Sequence, residues 1–252
     1  MTQLSGAEMF DRLSAEEKAH YVETNRQMLG YALDHAIPLI IAPPVGLGEV
    51  KGATGSILKL AAEYYLLTAS HVLAGYERRI REGENVYWQF GRLPPFDPRP
   101  RIVWRDPQAD ILVLRLEEDE VRNVGKCRIS IPSSWPPPAP EPENLLLLAG
   151  YPAAIREVDA RRIGSGPFST LLRVASAGDD YCNCEIVHRD LVSFGDTPPP
   201  PARTDFGGIS GAPAFLLRPD NCLLVGVITD HGGLFGAKEL IRIATLRNVR
   251  FQ

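Results

Sequence analysis

Apolar and polar positions along the chain fall into two regimes, a helical one at the start and short β-like runs after it. Tyr21, Met28, Leu29, Ala32, Leu33 and Ala36 recur at roughly helical spacing, which predicts a helix over about residues 15 to 35 with one apolar stripe. Two S-x-x-E boxes, Ser5 with Glu8 and Ser14 with Glu17, mark helix starts. In such a box the hydroxyl and the carboxylate each satisfy an orphan backbone amide. The stripe suits a structural extension docked on a body, or a helix that binds an activating or regulatory partner. Both readings stay open.

From residue 37 the pattern changes to runs rich in Ile, Val, Leu, Tyr and Trp, separated by Gly, Pro and charged turns. These predict strands near Pro38–Ala42, Thr54–Leu60, Tyr64–Ala69, Val86–Gly91, Arg101–Arg105 and Ile111–Leu116. The segment Ile131 to Glu143 then carries six prolines, which exclude helix and central strand and predict a stiff, extended connector. Strands resume at Leu145–Ala149, Leu171–Ala175, Cys182–Val187, Pro213–Leu217 and Leu223–Thr229, with a second proline cluster at Pro198 to Pro201. Two groups of about six strands therefore flank a proline-rich linker. The expected fold is all-β, two six-stranded antiparallel barrels behind an N-terminal helical extension. The expected boundaries are 1–36 for the extension, 37–131 for the first barrel, 132–143 for the linker and 144–252 for the second barrel.

Composition changes this picture little. Of 252 residues, 44% are hydrophobic and 23% charged, which is enough apolar material for one or two packed cores. The net charge of -4 gives no electrostatic reason to expect nucleic acid or an anionic membrane as partner. The nearest approach to a basic block, Glu77 to Glu82, is flanked by acids. No apolar run is long enough to span a bilayer, and the first residues lack the pattern of a secretory signal. Four cysteines make no dense disulfide framework in a chain of this length. Together these lead to the expectation of a reducing, cytoplasmic home.

Three short segments carry candidate chemistry. Leu67-Thr-Ala-Ser-His-Val-Leu73 puts His71 just after an apolar strand. Ala109-Asp-Ile-Leu-Val-Leu-Arg-Leu116 opens a buried strand with Asp110. Gly207-Gly-Ile-Ser-Gly-Ala-Pro-Ala214 sets Ser210 in a loop of small residues. Each alone has a bland explanation, as a structural histidine, a turn aspartate or a tight turn. Their joint occurrence is harder to dismiss. A serine hydroxyl becomes a nucleophile when a base takes its proton, and histidine suits that exchange near neutrality. Asp106 is a rival for the acidic role, although Asp106-Pro107 reads as a turn.

These segments resemble the chymotrypsin/trypsin-like serine peptidases. Thr68-Ala-Ser-His71 looks like the family's Thr-Ala-Ala-His, and Asp110-Ile-Leu-Val-Leu like its Asp-Ile-Ala-Leu-Leu. Gly208-Ile-Ser-Gly-Ala-Pro213 agrees with Gly-Asp-Ser-Gly-Gly-Pro at four of six positions. The order His, Asp, Ser is that of the family. Thr54-Gly-Ser-Ile-Leu and Gly150-Tyr-Pro152 add to the likeness, which spans about residues 37 to 250. The resemblance implies a serine endopeptidase acting on a polypeptide through an acyl-enzyme, without a cofactor or metal. It implies Ser210 as nucleophile, His71 as general base and acid, and Asp110 orienting His71. The amides of Gly208 and Ser210 would form the oxyanion hole.

The sequence also departs from the pattern. Ile209 stands where secreted members carry an aspartate that pairs with a newly released amino terminus, so activation by that route is excluded. The glycine-rich loop would then be organised otherwise, and ordering by a binding partner is one expectation. No cysteine lies near His71. Candidates for substrate contact are Thr204 and Asp205, upstream of Ser210. Thr229 and His231 are further candidates, at the end of a strand resembling the one that holds substrate backbone. The opposed charges of Asp205 and His231 leave specificity open. The Cys182, Cys184 and His188 spacing, with Cys222, raises zinc as a weaker reading. Two others keep the fold and change the function: a catalytically silent interaction module, and an esterase or acyl transferase using the same residues.

Overall fold

Ser14 caps a helix of 21 residues with both bonds of its box in place: its hydroxyl accepts from the Glu17 amide, and Glu17 accepts from the Ser14 amide. This computed structural model describes residues 6–44, 48–158, 163–187, 206–235 and 238–251. A short helix α1 (Gly6–Asp11) precedes the capped helix α2 (Ala15–His35). Ser5, the cap expected for α1, lies outside the described residues. The apolar stripe of α2 is used by the fold, since Ala32 and Ala36 are fully buried and Met28, Leu29 and Leu33 pack beside them.

The first half runs β1 (Ile37–Ala42), β2 (Lys51–Leu60), β3 (Glu63–Ala69), α3 (Ser70–Arg81), β4 (Tyr87–Phe90), β5 (Ile102–Asp106), β6 (Ile111–Leu116), α4 (Glu118–Val124) and β7 (Arg128–Ser130). Its strands pair antiparallel in the order β4-β1-β2-β3-β6-β5, and β7 joins β2 in parallel. The ladder ends at β4 and β5 without closing, where a closed ring was expected. Side chains complete what hydrogen bonds do not: Trp88 and Phe90 from β4 share one core with Leu112 and Leu114 from β6.

The second half comprises β8 (Leu145–Gly150), a small hairpin of β9 (Arg156–Val158) and β10 (Ile163–Ser165), then β11 (Phe168–Ala177), β12 (Tyr181–Ile186), β13 (Pro213–Leu217), β14 (Cys222–Phe235) and β15 (Lys238–Thr245). Six of these strands close a barrel, β11-β12-β15-β14-β13-β8. Closure leaves no exposed strand edge. Leu146, Val174, Cys182, Cys184, Val225 and Ile243 fill it. Cys182 and Cys184 project inward together because residues two apart on a strand share a face. The Cys184 thiol is pushed up by its hydrogen bond with Cys182 and by burial. All four cysteines are free thiols.

A third core lies between the halves. Leu58, Tyr65, Leu67, Ile111 and Val113 from the first sheet meet Leu147, Phe215, Val227 and Ala244 from the barrel. Ala32 of α2 and Ala36 at its C-cap join the same cluster. The proline-rich connector carries neither helix nor strand, and the Trp135 indole fastens it by donating to the Val249 carbonyl at 2.9 Å. Among the described residues, no helix is long and apolar enough to cross a membrane.

Candidate active site

Helix α3 has no capping side chain of its own, since Ala69 occupies its N-cap. Asp110, 39 residues beyond His71, supplies the cap instead. Its Oδ1 accepts from the His71 amide at 2.7 Å, and its Oδ2 lies 2.7 Å from His71 Nδ1. One carboxylate thus satisfies an orphan amide of the helix, sits at the positive end of its dipole and holds the imidazole. The Asp110 carbonyl accepts from the Ser70 amide at 3.1 Å, completing the dock. Asp110 is left-handed (φ 56°), a conformation Asp tolerates better than most residues.

Three neighbours fix this arrangement. Asp106 turns its carboxylate to the amides of Gln108 and Ala109, both at 2.9 Å, and so closes the turn that presents Asp110. Tyr181, from the barrel, donates its hydroxyl to the Gln108 carbonyl across the seam. Burial pushes that phenol up, and the Asp110 carboxylate adds to the shift. The guanidinium of Arg105 grips Glu77 of α3 through two bonds of 2.9 Å, tying the helix to β5.

Ser210 lies in the turn from Phe206 to Gly211, which the barrel anchors at both Phe206 and Ile209. Ile209 is 2% exposed, so the residue that replaces the family's aspartate is an apolar plug in the barrel core. Gly211 (φ 84°) fits only as glycine, because a Cβ would run into the Thr68 hydroxyl and the Thr54 carbonyl. Gly208 (φ 100°) is similarly confined, its Cβ position lying 2.7 Å from the Tyr151 carbonyl.

Thr54 is the residue that sequence reasoning missed. Fully buried on β2, it sends its amide to the Ser210 carbonyl and its hydroxyl to the Gly208 carbonyl, both at 2.8 Å. The same hydroxyl accepts from the Tyr151 amide at 3.1 Å, and the Thr54 carbonyl accepts from Thr68 at 2.7 Å. One threonine therefore ties the serine loop to the half that carries His71. Its sequence signal was weak, a small polar residue in the run Gly52-Ala-Thr-Gly-Ser56 of β2, where Ser56 is another.

His71, Gly208 and Ser210 line one groove of about 740 Å³. Among the described residues, no hydrogen bond uses the amide of Gly208 or Ser210, and none joins Ser210 to His71. The His71 side chain is half exposed, so the imidazole has room to turn. Of the expected substrate contacts, Thr204 and Asp205 lie outside the described residues. Thr229 is buried on β14 with its hydroxyl unpartnered and does not line the groove. His231 lies on β14 opposite Ile241. His188 is also outside the described residues, and among those described no group of three or more His, Cys, Asp or Glu side chains is placed to hold a metal ion.

No family model matches the chain, and no curated protein matches it in sequence. Solved structures do match in fold. A thermostable serine protease from an extremophilic microorganism aligns with a TM-score of 0.51 at 13% identity, over 85% of this chain and 92% of its own. A protease of M. tuberculosis in its active form aligns with a TM-score of 0.51 at 16% identity, over 89% and 81%. A serine endoprotease from Yersinia pestis aligns with a TM-score of 0.50 at 14% identity, over 86% of this chain and 61% of its own. The fold is that of the trypsin-like serine proteases.

Proposed function

We propose that this chain is a serine endopeptidase whose working residues are His71, Asp110 and Ser210. The observation that carries the reading is the Asp110 carboxylate, which holds the His71 imidazole in a groove that also contains Ser210. Asp110 fixes Nδ1 as the protonated nitrogen and leaves Nε2 to act as base. As a polypeptide enters, Nε2 takes the Ser210 proton and the hydroxyl oxygen attacks the scissile carbonyl. The uncommitted amides of Gly208 and Ser210 receive the developing oxyanion. Losing one such donor costs roughly 10²–10³ in kcat. His71 then passes its proton to the leaving amine, and water repeats the sequence on the acyl-enzyme.

The missing bond between Ser210 and His71 is what a silent interaction module would also show. It is equally a common feature of catalytic groups before substrate aligns them. A fluorophosphonate probe separates the two. The wild type is expected to label, and Ser210→Ala and His71→Ala are expected not to. Labelling of the isolated protein would count against a switch that needs a partner. Labelling only after a partner is added would support that switch, and no labelling under any condition would favour the silent module.

A further inference from the structure

One wall of the groove is a single face of α3. His71, Ala74, Gly75, Arg78 and Arg81 follow one another along it at helical spacing. Arg78 lies about 10 Å and Arg81 about 15 Å along the axis from His71, at about 1.5 Å per residue. An extended peptide covers those distances in about three to five residues. Two of the acids near these arginines in sequence are engaged by other arginines. Glu77 is held by Arg105, and Glu84 by Arg79. Glu82 approaches Arg78 only to 4.0 Å, with both side chains more than half exposed, a pair that contributes little. Arg81 has no hydrogen-bond or ion-pair partner among the described residues.

Arg156 brings positive charge to the opposite wall. Its guanidinium fills the space that a Cβ on Gly52 would occupy and lies 2.9 Å from where one on Gly208 would be, beside the serine loop. Among the described residues Glu49 is the one carboxylate in the lining, and it is bonded to Lys51. Its carboxyl is held below the usual range by that bond and, in smaller part, by the charges of Arg79 and Arg78. The groove therefore stabilises an anion already within reach.

We infer that this groove holds the leaving-group side of an acidic polypeptide, with Arg78 and Arg81 receiving carboxylates three to five residues beyond the scissile bond. The inference rests on the endopeptidase reading. The side is set by the chemistry, because His71 must hand its proton to the departing amine and the groove continues from His71 along α3. Among the described side chains, none from the Cys222–Asp230 part of β14, the strand expected to hold the acyl side, lines it. Charge complementarity of this kind sets specificity and fails at high salt.

Two measurements test the assignment. In the first, Ser210→Ala is titrated with Ala-Gly-Glu-Glu-Glu and Ala-Gly-Lys-Lys-Lys amides labelled at the C-terminal end, and binding is read by fluorescence anisotropy. The acidic peptide is expected to bind at least tenfold more tightly at low salt, and the double variant Arg78→Glu/Arg81→Glu in that background should reverse the order. In the second, wild type is acylated with a nitrophenyl ester, and the same peptides, unlabelled, compete with water for the acyl group. The acidic amine is expected to capture at least tenfold more. Acylation without discrimination between the amines overturns the inference and leaves the endopeptidase standing. Absence of acylation together with absence of fluorophosphonate labelling under any condition removes the endopeptidase, and binding to Ser210→Ala then decides the groove alone. An oligonucleotide that binds as tightly as the acidic peptide would show that the groove reads charge and not polypeptide, and would overturn the assignment as well.

Discussion

Asp110 and Thr54 each serve two partners, and that economy explains why each residue type stands where it does. Only a carboxylate offers two acceptor oxygens, one for the His71 amide and one for its imidazole. A hydroxyl can donate to the Gly208 carbonyl and accept from the Tyr151 amide at once, and the β-branched side chain that carries it suits a strand. Thr54→Val keeps the shape and deletes the hydroxyl, leaving a buried carbonyl and a buried amide without partners. Each orphaned group costs about 1–3 kcal/mol. The variant is therefore expected to lower Tm and to slow fluorophosphonate labelling at temperatures where it is still folded. Unchanged labelling would show that Thr54 does not hold the serine loop. Thr54 was quoted in the sequence as part of a resemblance, but its role depends on partners about a hundred residues or more away, which no spacing reveals.

At the scale of elements, α2 and α3 contrast in how their sequences could be read. The apolar stripe and capping box of α2 predict its extent, and the structure begins it at Ala15 and ends it at His35. Helix α3 was not expected, although Val72, Leu73 and Tyr76 have helical spacing and are buried on one side. Its cap comes from Asp110 and not from a neighbour in sequence, so the usual start signal is absent. The stripe of α2 packs into the core shared by both halves, so it is a structural face whatever else the helix binds. Ala32→Asp would bury a carboxylate with no partner in that core and is expected to cost more than about 3 kcal/mol. Thermal denaturation checks it, with Arg26→Ala as control, since the Arg26 and Glu23 pair is exposed and should matter by less than about 0.5 kcal/mol. A Tm unchanged in Ala32→Asp would mean that α2 is detachable.

For the molecule as a whole, the shared core means that neither half buries its apolar surface alone. Leu58, Tyr65 and Val113 face Leu147, Phe215 and Val227 across the seam, and α2 leads directly into β1. Unfolding is expected to be one cooperative transition, with calorimetric and van't Hoff enthalpies in agreement and labelling lost at the same temperature as near-UV circular dichroism. Two resolved transitions would show that the seam is weaker than its packing suggests. The sequence by itself determined the β-rich halves, the proline-rich connector, the capped helix α2 and the three residues of the candidate site. The first three follow from local periodicity and turn chemistry, and the site residues from short segments that resemble those of a known family. The tertiary structure alone decided that the first sheet stays open and that Ile209 plugs the barrel. It also placed Thr54 against the serine loop and freed a basic helix face from its neighbouring acids. These depend on which distant groups satisfy one another once chain entropy is spent, and a pattern of nearest neighbours does not carry that information.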